Sequence, residues 1–112
     1  MSTISTHILD TTIGRPAANV VVSLWQQKDA EWYKIADGIT DKDGRVKAPW
    51  ENISIEEGVY KMYFQVDAYF ETIGTKAFYP FVEVVFHVDA ASQHYHVPLL
   101  LNPFGYATYR GS

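Results

Sequence analysis

The sequence predicts an all-β fold, a sandwich of two sheets with one short helix. About seven or eight short runs rich in β-branched and aromatic residues alternate with turn residues, as in two-sheet sandwiches. Apolar residues make up 47% of the chain and aromatic residues 15%, which is enough for a packed core. A length of 112 residues suits one domain, so we expect a single globular domain over residues 1–112.

Three strands are predicted in the first part of the chain. Residues 2–9 are rich in Ser, Thr and Ile and lead into a loop that contains Gly and Pro. Residues 19–27 include three consecutive valines, which is typical of a buried strand, and residues 32–39 should pair with it. Residues 40–45 have turn chemistry, because Asp side chains bond nearby amides and Gly accepts a positive φ. Arg45 therefore leaves a turn with its guanidinium free to project.

Two further strands and the helix follow. Residues 59–66 and 81–88 show near-alternation of apolar and other side chains, which predicts strands. Between them, Asp67 is the expected cap of a short helix over residues 68–73. Gly74 stands where helices often end in a left-handed residue. No other helix is predicted.

The last predicted element is a β-hairpin. Residues 94–101 and 106–110 are β-type runs that flank Asn-Pro-Phe-Gly at 102–105, in which Pro presets one turn residue and Gly relieves another. Pro98 lies inside the first run and lacks a backbone N–H. We therefore expect an edge strand or a bulge at Pro98.

Two histidines lie side by side in this hairpin. Because side chains alternate along a strand, His94 and His96 project from one face. Such a pair also suits zinc, but a zinc site needs at least a third ligand and none is obvious nearby. We expect His94 to be exposed and His87 to belong to a core strand, so both stay outside the candidate catalytic set.

Composition argues against several kinds of partner. A formal charge of −4 and a pI near 5.4 disfavour nucleic acid and anionic membranes, because binding to either relies on surplus Lys and Arg. There is no run of about eighteen apolar residues and no basic segment followed by an apolar one, so we expect neither a membrane span nor a secretory signal. The absence of cysteine removes disulfides and thiolate chemistry, which suits the cytoplasm.

Five blocks of the sequence carry a family resemblance. They are Ser-Thr-His-Ile-Leu-Asp at 5–10, Gly-Arg-Pro-Ala at 14–17, Thr-Asp-Lys-Asp-Gly-Arg at 40–45, Tyr-Pro-Phe-Val-Glu-Val-Val-Phe at 79–86 and the stretch 94–112. In order and spacing they resemble the hydrolase branch of the transthyretin family, over almost the whole chain. The final Tyr-Arg-Gly-Ser is the most specific block. The second and third blocks also resemble small accessory or carbohydrate-binding β-sandwich modules.

The resemblance implies a fold, an assembly and an activity. The family's fold is a transthyretin-like sandwich of two four-stranded sheets, assembled as a homotetramer whose central channel holds two sites. The implied activity is the hydrolysis of 5-hydroxyisourate, the unstable product of urate oxidation, to 2-oxo-4-hydroxy-4-carboxy-5-ureidoimidazoline. An amide bond of the six-membered ring opens, and no cofactor or metal is needed. The resemblance implies the catalytic residues His7, Arg45 and His96 and the substrate-binding residues Tyr109, Arg110, Gly111 and Ser112.

These residue types fit the implied chemistry. Hydrolysing a cyclic amide requires an activated water, stabilisation of the oxyanion and a proton for the leaving nitrogen. His7 or His96 can take a proton from water while the other donates or orients, and the sequence leaves open which one is the base. Arg45 can face the developing negative charge. Tyr109 and Ser112 offer hydroxyls that would position the heterocycle.

The main alternative is a small-ligand carrier that does no chemistry. The same fold in transthyretin carries thyroid hormone in the corresponding channel. A carrier's channel should be lined by small and apolar side chains, so the His and Arg side chains implied here favour the enzyme. A third alternative, an accessory sandwich module, is weakened because such modules usually belong to longer chains.

Overall fold

The structure is a computed structural model that describes residues 1–47 and 50–111. Its strands form two four-stranded sheets, so the predicted all-β sandwich is confirmed. Within these residues no helix is long and apolar enough to cross a membrane. The elements are β1 Thr3–Asp10, β2 Arg15–Pro16, β3 Val21–Lys28, β4 Glu31–Ile39, a 3₁₀ turn Trp50–Asn52, β5 Gly58–Phe64, α1 Val66–Thr72, β6 Val82–Val88, β7 His94–Asn102 and β8 Gly105–Thr108.

The two sheets differ in how their strands pair. The first sheet has the order β2-β1-β7-β8, and its central pair β1 and β7 is parallel. That pair runs in register from Thr3 opposite His94 to Asp10 opposite Leu101. The second sheet has the order β4-β3-β5-β6 and is antiparallel throughout. The parallel pair places the first strand directly beside the strand that carries two histidines.

Alternating side chains fill the space between the sheets. On β1, Ile4, Thr6 and Ile8 face inward and are buried, whereas the residues between them are not. Burying an apolar side chain of this kind stabilises the fold by roughly 1.5–3 kcal/mol. The largest fully buried side chains include Trp50, Tyr60, Phe64 and Phe70. Because the inward residues supply the core, the outward face of β1 is free to carry polar side chains.

The predicted short helix is present but is capped differently. It spans Val66–Thr72, and its N-cap residue is Gln65, whose side chain makes no capping bond within the described part of the chain. Asp67 lies inside the first turn, where its carboxylate accepts a hydrogen bond from Gln65 Nε2 at 2.6 Å. The expectation that Asp67 caps the helix is therefore wrong. Gly74 follows the helix with φ +73°, as predicted, while the 3₁₀ turn Trp50–Asn52 was not predicted.

The hairpin forms as predicted, but Pro98 lies on an inner strand. Because β7 lies between β1 and β8, and its register with β1 continues through Pro98 without a shift, the expected edge or bulge is wrong. Pairing of β7 with β8 begins at Leu99 opposite Thr108. Pro98 therefore lies just before the part of β7 that pairs with both β1 and β8. Its missing N–H does not remove a hydrogen bond between β7 and β8. Its carbonyl accepts a hydrogen bond from Thr108 Oγ1 at 2.8 Å.

Candidate active site

The outward face of the first sheet gathers polar side chains from two parallel strands. Each outward residue of β1 lies beside a residue of β7, because the two strands run in register. The pairs are Thr3 with His94, Ser5 with His96, and His7 with Pro98. The opposite face of β7 buries Tyr95 and Val97. The predicted sharing of one face by the two histidines of β7 is thus confirmed, and the third histidine comes from β1.

Hydrogen bonds link the two histidines of β7 through a serine. The Ser5 hydroxyl lies 2.7 Å from Nδ1 of His96 and 2.8 Å from Nε2 of His94. The Thr3 hydroxyl lies 2.7 Å from Nδ1 of His94. His94 is exposed, as expected, whereas His96 is half-buried. In the part of the chain that the structure describes, Nε2 of His96 has no hydrogen-bond partner.

Arg45 reaches this face from the predicted turn after β4. The Asp41 carbonyl accepts a hydrogen bond from the Gly44 amide at 2.9 Å, and the Asp41 carboxylate accepts one from the Arg45 amide at 3.1 Å. Gly44 has φ +74°, and its carbonyl accepts a hydrogen bond from β1 at 2.9 Å. His7 and Arg45 consequently pair across an isolated antiparallel bridge. The turn therefore fixes the arginine next to the histidine of β1.

Burial and the neighbouring charges both favour a neutral His96. Burial is the main cause that lowers the pKa of His96 below its ordinary value of 6.5. The positive charge of Arg45 lowers this pKa further, and so do His7 and His94. The strand register and the bridge between His7 and Arg45 place these groups on the same face as His96. A neutral imidazole keeps an unprotonated ring nitrogen, which a general base requires.

Gly111 packs directly against the ring of His96. Its amide donates a hydrogen bond to the His96 carbonyl at 2.8 Å, and the two residues form an isolated antiparallel bridge. A Cβ atom at position 111 would lie 2.5 Å from Cδ2 of His96, which is too close for any side chain. Glycine is therefore required here by the close approach of the backbone to the imidazole.

Tyr109 and Arg110 lie on the other side of the first sheet. Both line a cavity of about 320 Å³, together with inward-facing residues of both sheets. The guanidinium carbon of Arg110 is 4.4 Å from the ring centre of Tyr95, and its Nη2 donates to Oε1 of Gln93 at 2.8 Å. Within this chain, Arg110 is therefore held against an aromatic ring and away from the outward histidines.

The predicted site residues thus fall into three groups. The structure brings together His7, Arg45, His96 and Gly111. It places Tyr109 and Arg110 elsewhere, at the cavity between the sheets. Ser112 lies outside the described residues.

A cleft of about 390 Å³ opens beside the histidine face. Arg45 and Lys47 give it positive charge in a chain whose net charge is −4. Glu51 lines the same cleft, and the two cations leave a local positive excess that attracts anionic ligands, which the net charge of the chain would repel. The lining residues include Thr3, Ser5, Glu51 and His94. Across residues 1–47 and 50–111, no group of three or more His, Cys, Asp or Glu side chains is arranged to hold a metal ion.

Sequence reasoning missed Ser5 and left His94 outside the site. The available signal was that Ser5 precedes His7 by two residues on one strand and so shares its face. The missing information was the parallel pairing of β1 with β7, which joins Ser5 to His96 across 91 positions of sequence. Local patterns do not specify such a long-range register.

Fold and site together define a small β-sandwich whose cleft is lined by histidine and arginine. The chain belongs to the HIUase/Transthyretin family, whose family model matches residues 4–111. The resemblance noted in the sequence is thereby confirmed.

Individual relatives span both branches of this family. The chain is 46% identical over 109 residues to the 5-hydroxyisourate hydrolase of Salmonella typhimurium, covering 97% of this chain and 80% of the relative. The structure of Klebsiella pneumoniae 5-hydroxyisourate hydrolase has a TM-score of 0.84 at 36% identity and covers 100% of this chain and 94% of that one. Sea bream transthyretin in complex with thyroxine has a TM-score of 0.89 at 34% identity, covering 96% and 93%. Because both structures share this fold, the site must distinguish the functions.

Proposed function

We propose that this chain hydrolyses 5-hydroxyisourate to 2-oxo-4-hydroxy-4-carboxy-5-ureidoimidazoline in purine breakdown. The observation that carries the proposal is the meeting of His7, Arg45 and His96 on one face, from three separate segments of the chain. These groups supply the base, the cation and the acid that amide hydrolysis needs. Relatives from Salmonella and Klebsiella bear the name of this hydrolase.

His96 acts as the base in the proposed reaction. Its neutral ring takes a proton from water at Nε2, and the resulting hydroxide bonds to the carbonyl carbon of the ring amide. Arg45 faces the oxyanion that develops on the carbonyl oxygen. His7 gives a proton to the ring nitrogen as the C–N bond breaks, and the ring opens. None of these steps requires a metal or a cofactor.

We propose further that residues 109–112 bind the heterocycle and that the site is completed in a homotetramer. The hydrogen bond from the Gly111 amide to the His96 carbonyl supports the first point, since it holds Gly111 beside the base. The closing hairpin supports the second, because it exposes large aromatic side chains that suit an interface. They are Phe104 at 73%, Tyr106 at 42% and Tyr109 at 57% exposure. Each cleft would then be shared between subunits.

The proposed enzyme works as one domain in the cytoplasm. The family model covers residues 4–111, which supports a single functional unit. The absence of cysteine suits a reducing compartment.

A carrier of thyroxine is the second candidate function. One observation favours it, the TM-score of 0.89 with sea bream transthyretin in complex with thyroxine. The charged and titratable groups at the outward face argue against it, because an aromatic hormone prefers a mostly apolar site. Calorimetric titration of the protein with thyroxine decides the point. We expect no saturable binding at micromolar concentration, and tight binding without hydrolysis would favour the carrier.

The absorbance of freshly made 5-hydroxyisourate tests the proposed enzyme directly. We expect its decay to accelerate in proportion to protein concentration and to stay accelerated after exhaustive chelation. An unchanged decay would show that the chain does not catalyse this reaction. Loss of activity on chelation, restored by zinc, would show that the metal-free mechanism is wrong.

A further inference from the structure

We propose that Ser5 and His94 are positioning residues that hold the neutral ring of His96 with its proton on Nδ1. The geometry behind this proposal is a continuous hydrogen-bonded relay from Thr3 through His94 and Ser5 to His96. The inference rests on the proposed function in one respect, the use of His96 Nε2 as the base. The relay itself is defined by distances alone.

The single proton of the Ser5 hydroxyl couples the two imidazoles. The hydroxyl lies within hydrogen-bond distance of one nitrogen of each ring, 2.8 Å from His94 Nε2 and 2.7 Å from His96 Nδ1. The hydroxyl has one proton and two acceptor lone pairs, so it can donate to only one of these nitrogens, and at least one of the two must carry a proton. Where the hydroxyl donates to one ring, the other ring donates to the hydroxyl, and this couples the tautomers of the two neutral histidines.

The three hydrogen bonds of the relay can run in either direction, and one direction suits catalysis. His96 donates Nδ1–H to Ser5, Ser5 donates to Nε2 of His94, and His94 donates Nδ1–H to Thr3. In this order Nε2 of His96 keeps its lone pair for water. When Nε2 takes the proton, the bond from Nδ1–H to Ser5 is already in place. The relay therefore stabilises the imidazolium without rearrangement, as an orienting group does in other histidine bases.

The opposite order removes the base. If Ser5 donated to Nδ1, a neutral His96 would carry its proton on Nε2 and would have no lone pair for water. Nε2 of His94 would then donate to Ser5. A protonated His94 donates from both nitrogens and cannot accept from Ser5, which frees the hydroxyl proton to bind Nδ1 of His96. A neutral His94 with its proton on Nδ1 accepts from the Ser5 hydroxyl instead and so favours the order in which His96 serves as base.

The position of each residue fits a role that acts through His96. Ser5 is half-buried between the rings, whereas His94 is exposed at the start of β7. The core side chains of both strands face the other way. Replacing either residue should therefore leave the sandwich intact and change the state of the His96 ring.

Nitrogen-15 NMR of the histidine rings tests the relay without measuring activity. At a pH where His96 is neutral, we expect its Nδ1 to be protonated and its Nε2 to carry the lone pair. In Ser5→Ala we expect a mixture of both tautomers. A wild-type His96 that carries its proton on Nε2 would overturn the proposal, and so would a Ser5→Ala spectrum identical to that of wild type.

Kinetics of serine variants provide a second test. Ser5→Ala should lower kcat by about tenfold or more while KM changes by less than about threefold, in the range found for partners that orient a functional histidine. Ser5→Thr is the matched control, because it keeps the hydroxyl and its β-branched side chain suits a strand. We expect Thr to restore most of the rate. Equal kcat for Ser5→Ala and wild type, with circular dichroism showing both folded, would contradict the relay.

A pair of amides at the exposed His94 provides a test that does not depend on Ser5 variants folding. Gln places its amide near the position of Nε2, which faces Ser5, whereas Asn places its amide near Nδ1, which faces Thr3. We expect His94→Gln to retain kcat within about threefold and His94→Asn to lose about tenfold. Equal rates for the two variants would overturn the assignment of His94.

The outcomes for the relay and for the proposed function remain distinct. If wild-type protein leaves the decay of 5-hydroxyisourate unchanged, the proposed function is wrong, yet the ring spectra still decide the relay. If hydrolysis is fast and Ser5→Ala equals wild type in both rate and spectrum, the function stands and the relay is wrong.

Discussion

Gly111 approaches the imidazole of His96 so closely that one methyl group would displace it. A Cβ atom there would lie 2.5 Å from Cδ2 and 3.2 Å from Cγ of that ring. We therefore expect Gly111→Ala to lower the hydrolysis rate by more than about tenfold, since a misplaced base loses most of its advantage. Steady-state kinetics measure the loss of rate. The circular dichroism spectrum should be unchanged, which shows that the variant is folded.

Gly105→Ala is the matched control for that substitution. Gly105 is the first residue of β8, the strand that precedes Gly111, and among the described residues the atom nearest to its added Cβ is Nδ2 of Asn102 at 3.6 Å, an ordinary contact. We expect Gly105→Ala to hydrolyse substrate at close to the wild-type rate. Equal rates for the two alanine variants would show that the approach of Gly111 to His96 does not matter for catalysis.

Removing any of the three proposed catalytic groups should affect turnover more than folding. We expect His7→Asn, Arg45→Ala and His96→Asn each to lower kcat by more than about tenfold, the range for loss of an acid, a base or an oxyanion partner. Lys42→Ala is the control, because it removes an exposed cation from the same turn as Arg45. A folded His96→Asn protein with the parental rate would show that His96 is not the base.

The pH dependence should report the lowered pKa of His96. Burial is the main cause of this lowered pKa and the charge of Arg45 adds to it, so Arg45→Ala should raise the pKa of His96 toward 6.5, and Lys42→Ala should not. In wild type, activity should persist below pH 6.5 and fall only as His96 becomes protonated. Below pH 6.5 the unfolded chain binds more protons at His96 than the folded chain does. The contribution of His96 to the free energy of unfolding therefore decreases as the pH falls. An NMR titration of His96 that shows no difference between the Arg45 variant and wild type would contradict this electrostatic account.

At the residue scale, family motifs predicted more of the site than local chemistry did. His7, Arg45 and His96 were predicted from the resemblance, and the structure brings them together. Ser5 was not predicted, because its role depends on a strand pairing between residues far apart in sequence. Tyr109 and Ser112 remain predictions as substrate ligands.

At the scale of elements, alternation of side chains was sufficient to find the long strands. The run that became β7 was predicted from residue 94, where the strand begins. Local rules predicted two details wrongly. Pro98 lies on an inner strand, which depends on the pairing of β7 with the distant strand β1. Asp67 binds Gln65 instead of capping the helix, and this contact is local, since the two residues are two positions apart.

The turn that carries Arg45 should depend on Gly44. This residue has φ +74°, and an added Cβ would collide with the backbone carbonyl of Ile8 and lie 3.3 Å from Cδ2 of His7. We expect Gly44→Ala to lower both the free energy of unfolding, by more than about 2 kcal/mol, and the hydrolysis rate. Urea unfolding and steady-state kinetics measure the two effects.

Gly14→Ala separates backbone strain from collision in that experiment. Gly14 also has a positive φ, +65°, but no atom of the described residues lies within 4 Å of its added Cβ. The free energy of unfolding of Gly14→Ala should fall by only about 1–2 kcal/mol, the cost of a left-handed alanine. The variant should keep its hydrolytic activity. If the two variants unfold at the same urea concentration and hydrolyse equally fast, the packing of Gly44 against β1 is not what places Arg45.

At the scale of the whole molecule, the sequence predicted the sandwich and its core but not which strands meet at the edges. Apolar content and strand count sufficed for the fold class, because any two amphipathic sheets bury their apolar faces together. The strand order β2-β1-β7-β8 has no local signature, and it determines both the histidine face and the exposed hairpin. The proposed assembly therefore depends on this order.

The exposed hairpin should hold the proposed homotetramer together. Phe104 is 73% exposed, so its ring contributes little to the core of its own chain and would gain most by burial against another copy. We expect wild type to sediment as a tetramer at micromolar concentration and Phe104→Asp to sediment as smaller species with unchanged circular dichroism. Ile73→Asp, which places the same charge at a residue 49% exposed just after α1, is the control and should remain tetrameric.

If each cleft is shared between subunits, the Phe104 variant should also lose hydrolysis in proportion to its dissociation. A wild-type monomer, or a dissociated Phe104 variant with full activity, would show that one chain carries the complete site.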